Sequence, residues 1–196
     1  METALSHKAQ GLPLVIPESL ILQAFQGVQC LKHRTALLSL YALGLRRQEL
    51  LNLKLSDICR SSLSVKIVQG KGGKDRILPI SPDLLKLWEK YYRFYTPQVY
   101  LFEGATPGQP YSATSLRMIF YNAFYSIIGH HKYHLHSLRH SFATHLLDHN
   151  KSLRDIQTLL GHANISSTAI YLSLSVERMR KSIEAFESLI SKVSNI

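Results

Sequence analysis

Acidic residues are scarce in this 196-residue chain: 13 Asp and Glu stand against 23 Lys and Arg, a formal net charge of +10. That imbalance suits a polyanionic partner, most often nucleic acid, because Lys and Arg displace counterions condensed on phosphates. An acidic membrane surface is a weaker match, since no basic amphipathic helix stands out. Cysteine is nearly absent: Cys30 and Cys59 fit no zinc spacing and need not pair, so they read as reduced residues and exclude a disulfide scaffold. No run of about 18 apolar residues exists to span a membrane. The opening stretch METALSHKAQ lacks the charged start and apolar core of a signal peptide, which makes the cytoplasm the expected location. Internal repeats and low-complexity segments are also missing. The length suffices for one domain with a real hydrophobic core.

What is present is mostly helical periodicity. Apolar residues recur at helical spacing over 18–29 and 34–43, and 47–53 forms another short helix. The period then changes to alternation over 62–68 and 75–80, joined by QGKGGK, whose glycines suit a hairpin turn. Pro82 opens a helix to about Tyr95 with Ser81 as its cap. Residues 96–111, rich in Pro, Gly and Thr, read as a loop. Helices are expected again at 112–128, 137–148, 152–160, 165–173 and 175–192, the last with Val176, Met179, Ile183, Phe186 and Ile190 on one stripe. The expected fold class is mainly α with a small antiparallel β-sheet (α+β). Residues 1–13 are expected to form an N-terminal tail and 14–192 a single domain, with no separate N-terminal domain expected within this sequence and a longer parent chain left open.

The stretch HLHSLRHSFATHLL sets His136 and Arg139 three apart on one helix face, and GLRRQEL repeats that spacing with Arg46 and Glu49. Two arginines, two histidines, a turn lysine and a tyrosine together make a kit for attacking a phosphodiester. Each guanidinium holds two phosphate oxygens and stays charged at any working pH. Two of them can stabilise a pentacoordinate phosphorane without metal. A tyrosine can act as nucleophile if its proton is taken or its phenolate is favoured by nearby cations.

Two rival readings fit less well. His136 and His140 have the i, i+4 spacing of zinc helices, yet HSLRH has no glutamate at its second position and no cysteine or carboxylate cluster supplies a third ligand. No metal and no cofactor are therefore expected, and His140 and His145 read as packing residues, as does Trp88. SLRDIQTLLGHANISSTAIYLSLS also resembles a helix-turn-helix, but its second helix offers serine, threonine and alanine to base edges.

Four blocks, YALGLRRQELLNLKLSDI (41–58), VQGKGGKDRILPI (68–80), HLHSLRHSFATHLL (134–147) and LLGHANISSTAIYLSLS (159–175), together resemble the catalytic domain of the tyrosine recombinases, the phage integrase family. They occur in the family's order, and the resemblance runs over roughly residues 14–190. It implies that Arg46 and Arg139 clamp the scissile phosphate and that Lys71 protonates the departing 5′ oxygen. His136 would be the acid/base residue near the nucleophile, and His162 would donate a hydrogen bond to a phosphate oxygen. Tyr171 would attack, leaving a 3′-phosphotyrosyl bond and a free 5′ hydroxyl. Glu49 would orient the histidine or the first arginine, and Lys74, Arg76 and Arg47 are expected to contact DNA.

The function so implied is site-specific cleavage and rejoining of double-stranded DNA, whether for integration, excision, inversion or resolution. The partners would be double-stranded DNA at the nucleoid, a homo-tetramer on paired sites (monomer or dimer when free) and an accessory DNA-bending protein. Within the family the chain resembles the short members such as the fimbrial phase-variation invertases. It departs from the pattern at Leu43, where a small polar residue is frequent, and at Arg47, which adds charge. Two alternatives stay open: a catalytically silent DNA-binding regulator of the same fold, and a type IB topoisomerase-like relaxing enzyme.

Overall fold

The structure, a computed structural model, describes residues 14–68, 75–149, 151–161 and 192. Its elements run α1 (Glu18–Gly27), α2 (Leu31–Ala42), α3 (Arg47–Leu51), a 3-10 turn (Leu55–Asp57), β1 (Ile58–Cys59), β2 (Ser64–Ile67), β3 (Arg76–Pro79), α4 (Pro82–Tyr95), α5 (Ala113–Ile128), α6 (Leu135–Asp148) and α7 (Leu153–Leu160). The architecture is mostly helical with one antiparallel sheet in the order β1-β2-β3. The expected helices at 165–173 and 175–192 fall outside the described residues, apart from Lys192, as does the tail 1–13.

Helix α2 lies at the centre. Arg34 through Ala42 are all buried, polar residues included. A helix buried on every side needs neighbours all round it, and α1, α3, α4, α5 and α6 all pack on α2. The buried Ser39 is satisfied twice, donating to the Thr35 carbonyl (2.7 Å) and accepting from the Trp88 indole N–H of α4 (2.8 Å). Phe25, Tyr41, Phe120, Phe124 and Phe142 fill the space between the helices, several edge to face. His145 packs in the same interior, hydrogen-bonded to the Tyr41 hydroxyl at 2.6 Å.

Caps set the helix boundaries. Ser81, Ser112 and Ser152 each accept a backbone N–H from the first turn of α4, α5 and α7. Helix α6 begins earlier than the expected 137 because His134 caps it: its Nδ1 accepts from the Ser137 N–H at 3.2 Å. Imidazole is an uncommon cap, and a rule built on serine, threonine, aspartate and asparagine passes over it.

The sheet has one strand more than the expected hairpin. Ile58 and Cys59 pair with Val65 and Ser64, a two-residue strand too short to show alternation. Residues 96–111 form an ordered loop, as expected from composition. A single carboxylate oxygen of Glu103 accepts the N–H groups of Gln98, Val99 and Tyr100 at 3.0, 2.7 and 3.2 Å and pins its start.

Candidate active site

Helix α2 ends in a turn that prepares the site. The Gly44 N–H bonds the Tyr41 carbonyl and the Leu45 N–H bonds the Leu40 carbonyl, a Schellman arrangement with Gly44 at φ +57°. The turn leaves the Gly44 carbonyl free to accept from Arg139 Nη1 at 2.7 Å, while Arg139 Nη2 donates to the Leu160 carbonyl at 2.6 Å. Arg139 projects from α6 and is 3% exposed. Its guanidinium is therefore anchored by main chain at the ends of two other helices.

Gly44 is required here twice over. Its φ is left-handed, and a Cβ would lie 2.5 Å from Phe142 Cδ1. Gly44→Ala is expected to destabilise the fold by roughly 2–4 kcal/mol, combining backbone strain with overpacking. Urea denaturation measures this directly, and a shift under about 1 kcal/mol would contradict the argument.

Two residues beyond Gly44, Arg46 starts α3 and meets Glu49. The Arg46 N–H donates to Glu49 Oε2 and its Nη1 to Oε1, both at 2.8 Å. The Arg46 side chain remains 38% exposed, whereas that of Glu49 is 6% exposed. Arg139 Nη1 lies 3.7 Å from Glu49 Oε2. A third guanidinium, that of Arg76 on β3, closes on the same carboxylate: Nη1 to Oε1 and Nη2 to Oε2, both 2.8 Å, with Nε donating to the Leu159 carbonyl at 2.9 Å.

Burial alone would push the Glu49 carboxyl up; the hydrogen bonds and charge of Arg76, joined by the backbone and side-chain hydrogen bonds of Arg46, overcome it and hold its pKa at about 2. Burial first, and then the charge of Arg46, lowers the Arg139 guanidinium to about 9, so it stays protonated at neutral pH. Three arginines surround one carboxylate, an excess of positive charge that suits a bound anion.

Arg46 opens onto a pocket of about 420 Å³, lined also by Arg47, Arg117, Tyr121, His134 and His136. No carboxylate is among its described lining residues. His136 stands on its rim with its ring centroid 4.6 Å from that of His140. Desolvation lowers the His136 pKa, and the charges of His140, Arg139, His134 and Arg46 lower it further, so the ring is neutral at pH 7.

Among the residues expected at the site, the fold brings Arg46, Glu49 and Arg139 together and places His136 and Arg47 at the adjoining pocket. Arg76, expected to contact DNA, is 9% exposed and turned toward Glu49. Lys71, Lys74, His162 and Tyr171 lie outside the described residues. Arg117 also lines the pocket, and an isolated arginine in a helical run carries no motif that would single it out.

Residues 18–178 match the Phage integrase family, and the chain belongs to it. Similar proteins include the tyrosine recombinase XerC of Staphylococcus carnosus, 34% identical, with 89% of this chain and 62% of that protein covered. The tyrosine recombinase XerA of Pyrococcus horikoshii is 34% identical, with 89% and 62% covered. The chain thus spans about three-fifths of the length of these two relatives. A crystal structure of a XerA recombinase superimposes with a TM-score of 0.69 at 26% identity, covering 91% of this chain and 65% of that one.

Proposed function

We propose that this chain carries the catalytic machinery of a site-specific recombinase that cuts and rejoins double-stranded DNA through a phosphotyrosine. The observation that carries this reading is the convergence of Arg46 and Arg139 beside a single buried carboxylate, next to an open basic pocket. In the proposed step both guanidiniums hold the non-bridging oxygens of one phosphate, and His162 donates a further hydrogen bond to them. Tyr171 Oη attacks phosphorus and its proton passes to His136, which is neutral at pH 7. The bond to the 5′ oxygen breaks, and Lys71 supplies the proton that leaves with it. A 3′-phosphotyrosyl bond remains, and a 5′ hydroxyl from another strand reverses the step. The bond energy is conserved, so rejoining needs no nucleotide. Two guanidiniums supply the charge that a metal would otherwise provide. Paired sites are brought together by four copies of the chain, with an accessory protein bending the DNA.

The test uses nicked duplexes tiled over the genomic DNA flanking the gene, incubated with the protein in EDTA and resolved on a denaturing gel. A protein–DNA species that survives denaturation is the expected result. Absence of the adduct on a duplex that the protein demonstrably binds would instead favour a silent DNA-binding regulator. Relaxation of supercoiled plasmid with no preferred site would favour a topoisomerase-like enzyme.

Arg117 is exposed on the pocket wall and should track the DNA backbone. Arg117→Ala is expected to weaken duplex binding and reduce the slope of log K against log salt by about 0.9, one released counterion. Fluorescence anisotropy between low and moderate salt reads both; an unchanged slope would remove Arg117 from the interface.

A further inference from the structure

Arg76 is the one guanidinium of the cluster that the chemistry above leaves without a task. It opens β3 opposite Ile67 of β2 and shares a strand face with the buried Leu78. It therefore sits at the base of the hairpin whose connecting residues 69–74 include Lys71. Its three contacts join separate parts of the fold: both oxygens of Glu49 at the start of α3, and the Leu159 carbonyl at the end of α7. Leu159 directly precedes Leu160, whose carbonyl anchors Arg139.

The geometry shows what this does to Glu49. A carboxylate matches a guanidinium fork best when both of its oxygens are taken by one arginine. Arg76 takes that bidentate position. Arg46 is left with a single side-chain bond to Oε1, and Arg139 stands off at 3.7 Å. The terminal torsion of a glutamate is broad and imposes little orientation of its own. Without Arg76 the carboxylate would be free to turn and grip Arg46 in the same two-bonded way, withdrawing that fork from a phosphate and cancelling its charge.

We propose that Arg76 is a positioning residue for strand cleavage: by occupying Glu49 bidentately it keeps the Arg46 fork free for the scissile phosphate, and through the Leu159 carbonyl it ties the main-chain anchor of Arg139 to the base of the hairpin. This rests on the recombinase reading given above. In this assignment Arg76, 9% exposed against Glu49, makes no phosphate contact, which separates its effect from that of a DNA-binding cation.

The experiment compares wild type with Arg76→Met, Arg76→Lys, Glu49→Gln and the Arg76→Met/Glu49→Gln double variant on the nicked duplex that gives the wild-type adduct. Single-turnover cleavage at saturating protein and duplex affinity across salt are both measured, with folding checked by circular dichroism. Arg76→Met should slow cleavage on the order of 100-fold, as expected for misplaced clamping groups. Affinity should stay within about twofold and the salt slope should be unchanged, because no phosphate contact is removed. Arg76→Lys keeps the charge but cannot span both oxygens and the Leu159 carbonyl, so it should recover only part of the rate. If Arg76→Met fails to fold, Arg76→Lys carries the same comparison. The double variant should be no slower than the slower single variant, since both changes act through one contact.

An unchanged cleavage rate would overturn the proposal, as would multiplicative losses in the double variant. A loss confined to affinity, with the salt slope reduced by about 0.9, would also overturn it by making Arg76 a phosphate contact. These results presuppose an active wild type; a wild type that binds DNA without forming an adduct defeats the recombinase reading itself, and the proposal with it.

Discussion

Tyr171→Phe is expected to form no covalent adduct while binding the same duplex within about twofold of wild type, since one hydroxyl contributes little to counterion release. Removal of the phenolic oxygen deletes the only atom that can form the bond to phosphorus in the proposed step. The arginine cluster and the basic pocket are left intact, so recognition of the polyanion should survive. Ten tyrosines occur in the chain, which makes peptide mapping of the wild-type adduct a necessary companion measurement. An adduct that persists in the variant and maps to another tyrosine would overturn the assignment of Tyr171 while leaving the chemistry in place. Loss of DNA binding along with the adduct would mean that the variant is misfolded or that Tyr171 serves recognition.

Glu49→Ala should produce the largest loss of stability among single changes at the site. The carboxylate is the common partner of three guanidiniums, and those of Arg76 and Arg139 are 9% and 3% exposed. Taking one partner from a buried ion pair costs about 3–5 kcal/mol, because the remaining charge can neither move to water nor find a substitute. Mutual repulsion among the three arginines adds to the effect. Urea denaturation at pH 7 reads the loss, and a change below about 1 kcal/mol would show the cluster to be marginal for folding.

The pH dependence has a fixed sign. The folded pKa of Glu49, about 2, lies below the unfolded carboxyl value. Its contribution is therefore complete above about pH 4.3. It declines as pH falls toward the folded value, and wild type should weaken over that acid range. In Glu49→Ala this part of the acid limb should be missing.

Much of this arrangement was legible before any coordinates. The i, i+3 spacing of Arg46 and Glu49 announced their pairing, and the change of period at residue 62 announced the hairpin. Ser81 marked the start of α4 through its cap. A cation beside a hairpin suits phosphate as well as a buried acid, yet the alternation of DRILPI places Arg76 in step with Leu78 and Ile80, both buried. A charged residue on an inward strand face demands a partner, and Glu49 was the available acid. The anchors of Arg139 could not have been read this way. They are backbone oxygens at Gly44 and Leu160, 95 and 21 residues away, and only the packing of α2, α6 and α7 brings them within reach.

Those two anchors also govern which substitutions the site can register. A main-chain oxygen is supplied by every amino acid, so no exchange of side chain at position 160 deletes an acceptor. Arg139 is thus insulated from most point changes around it and vulnerable to those that reroute the backbone. At position 44 almost any residue other than glycine does so. A saturation scan should therefore find that apolar exchanges of the buried Leu160 leave the Arg139 anchor in place, while position 44 is nearly closed. Tolerance here follows the path of the chain more than the chemistry of its side groups.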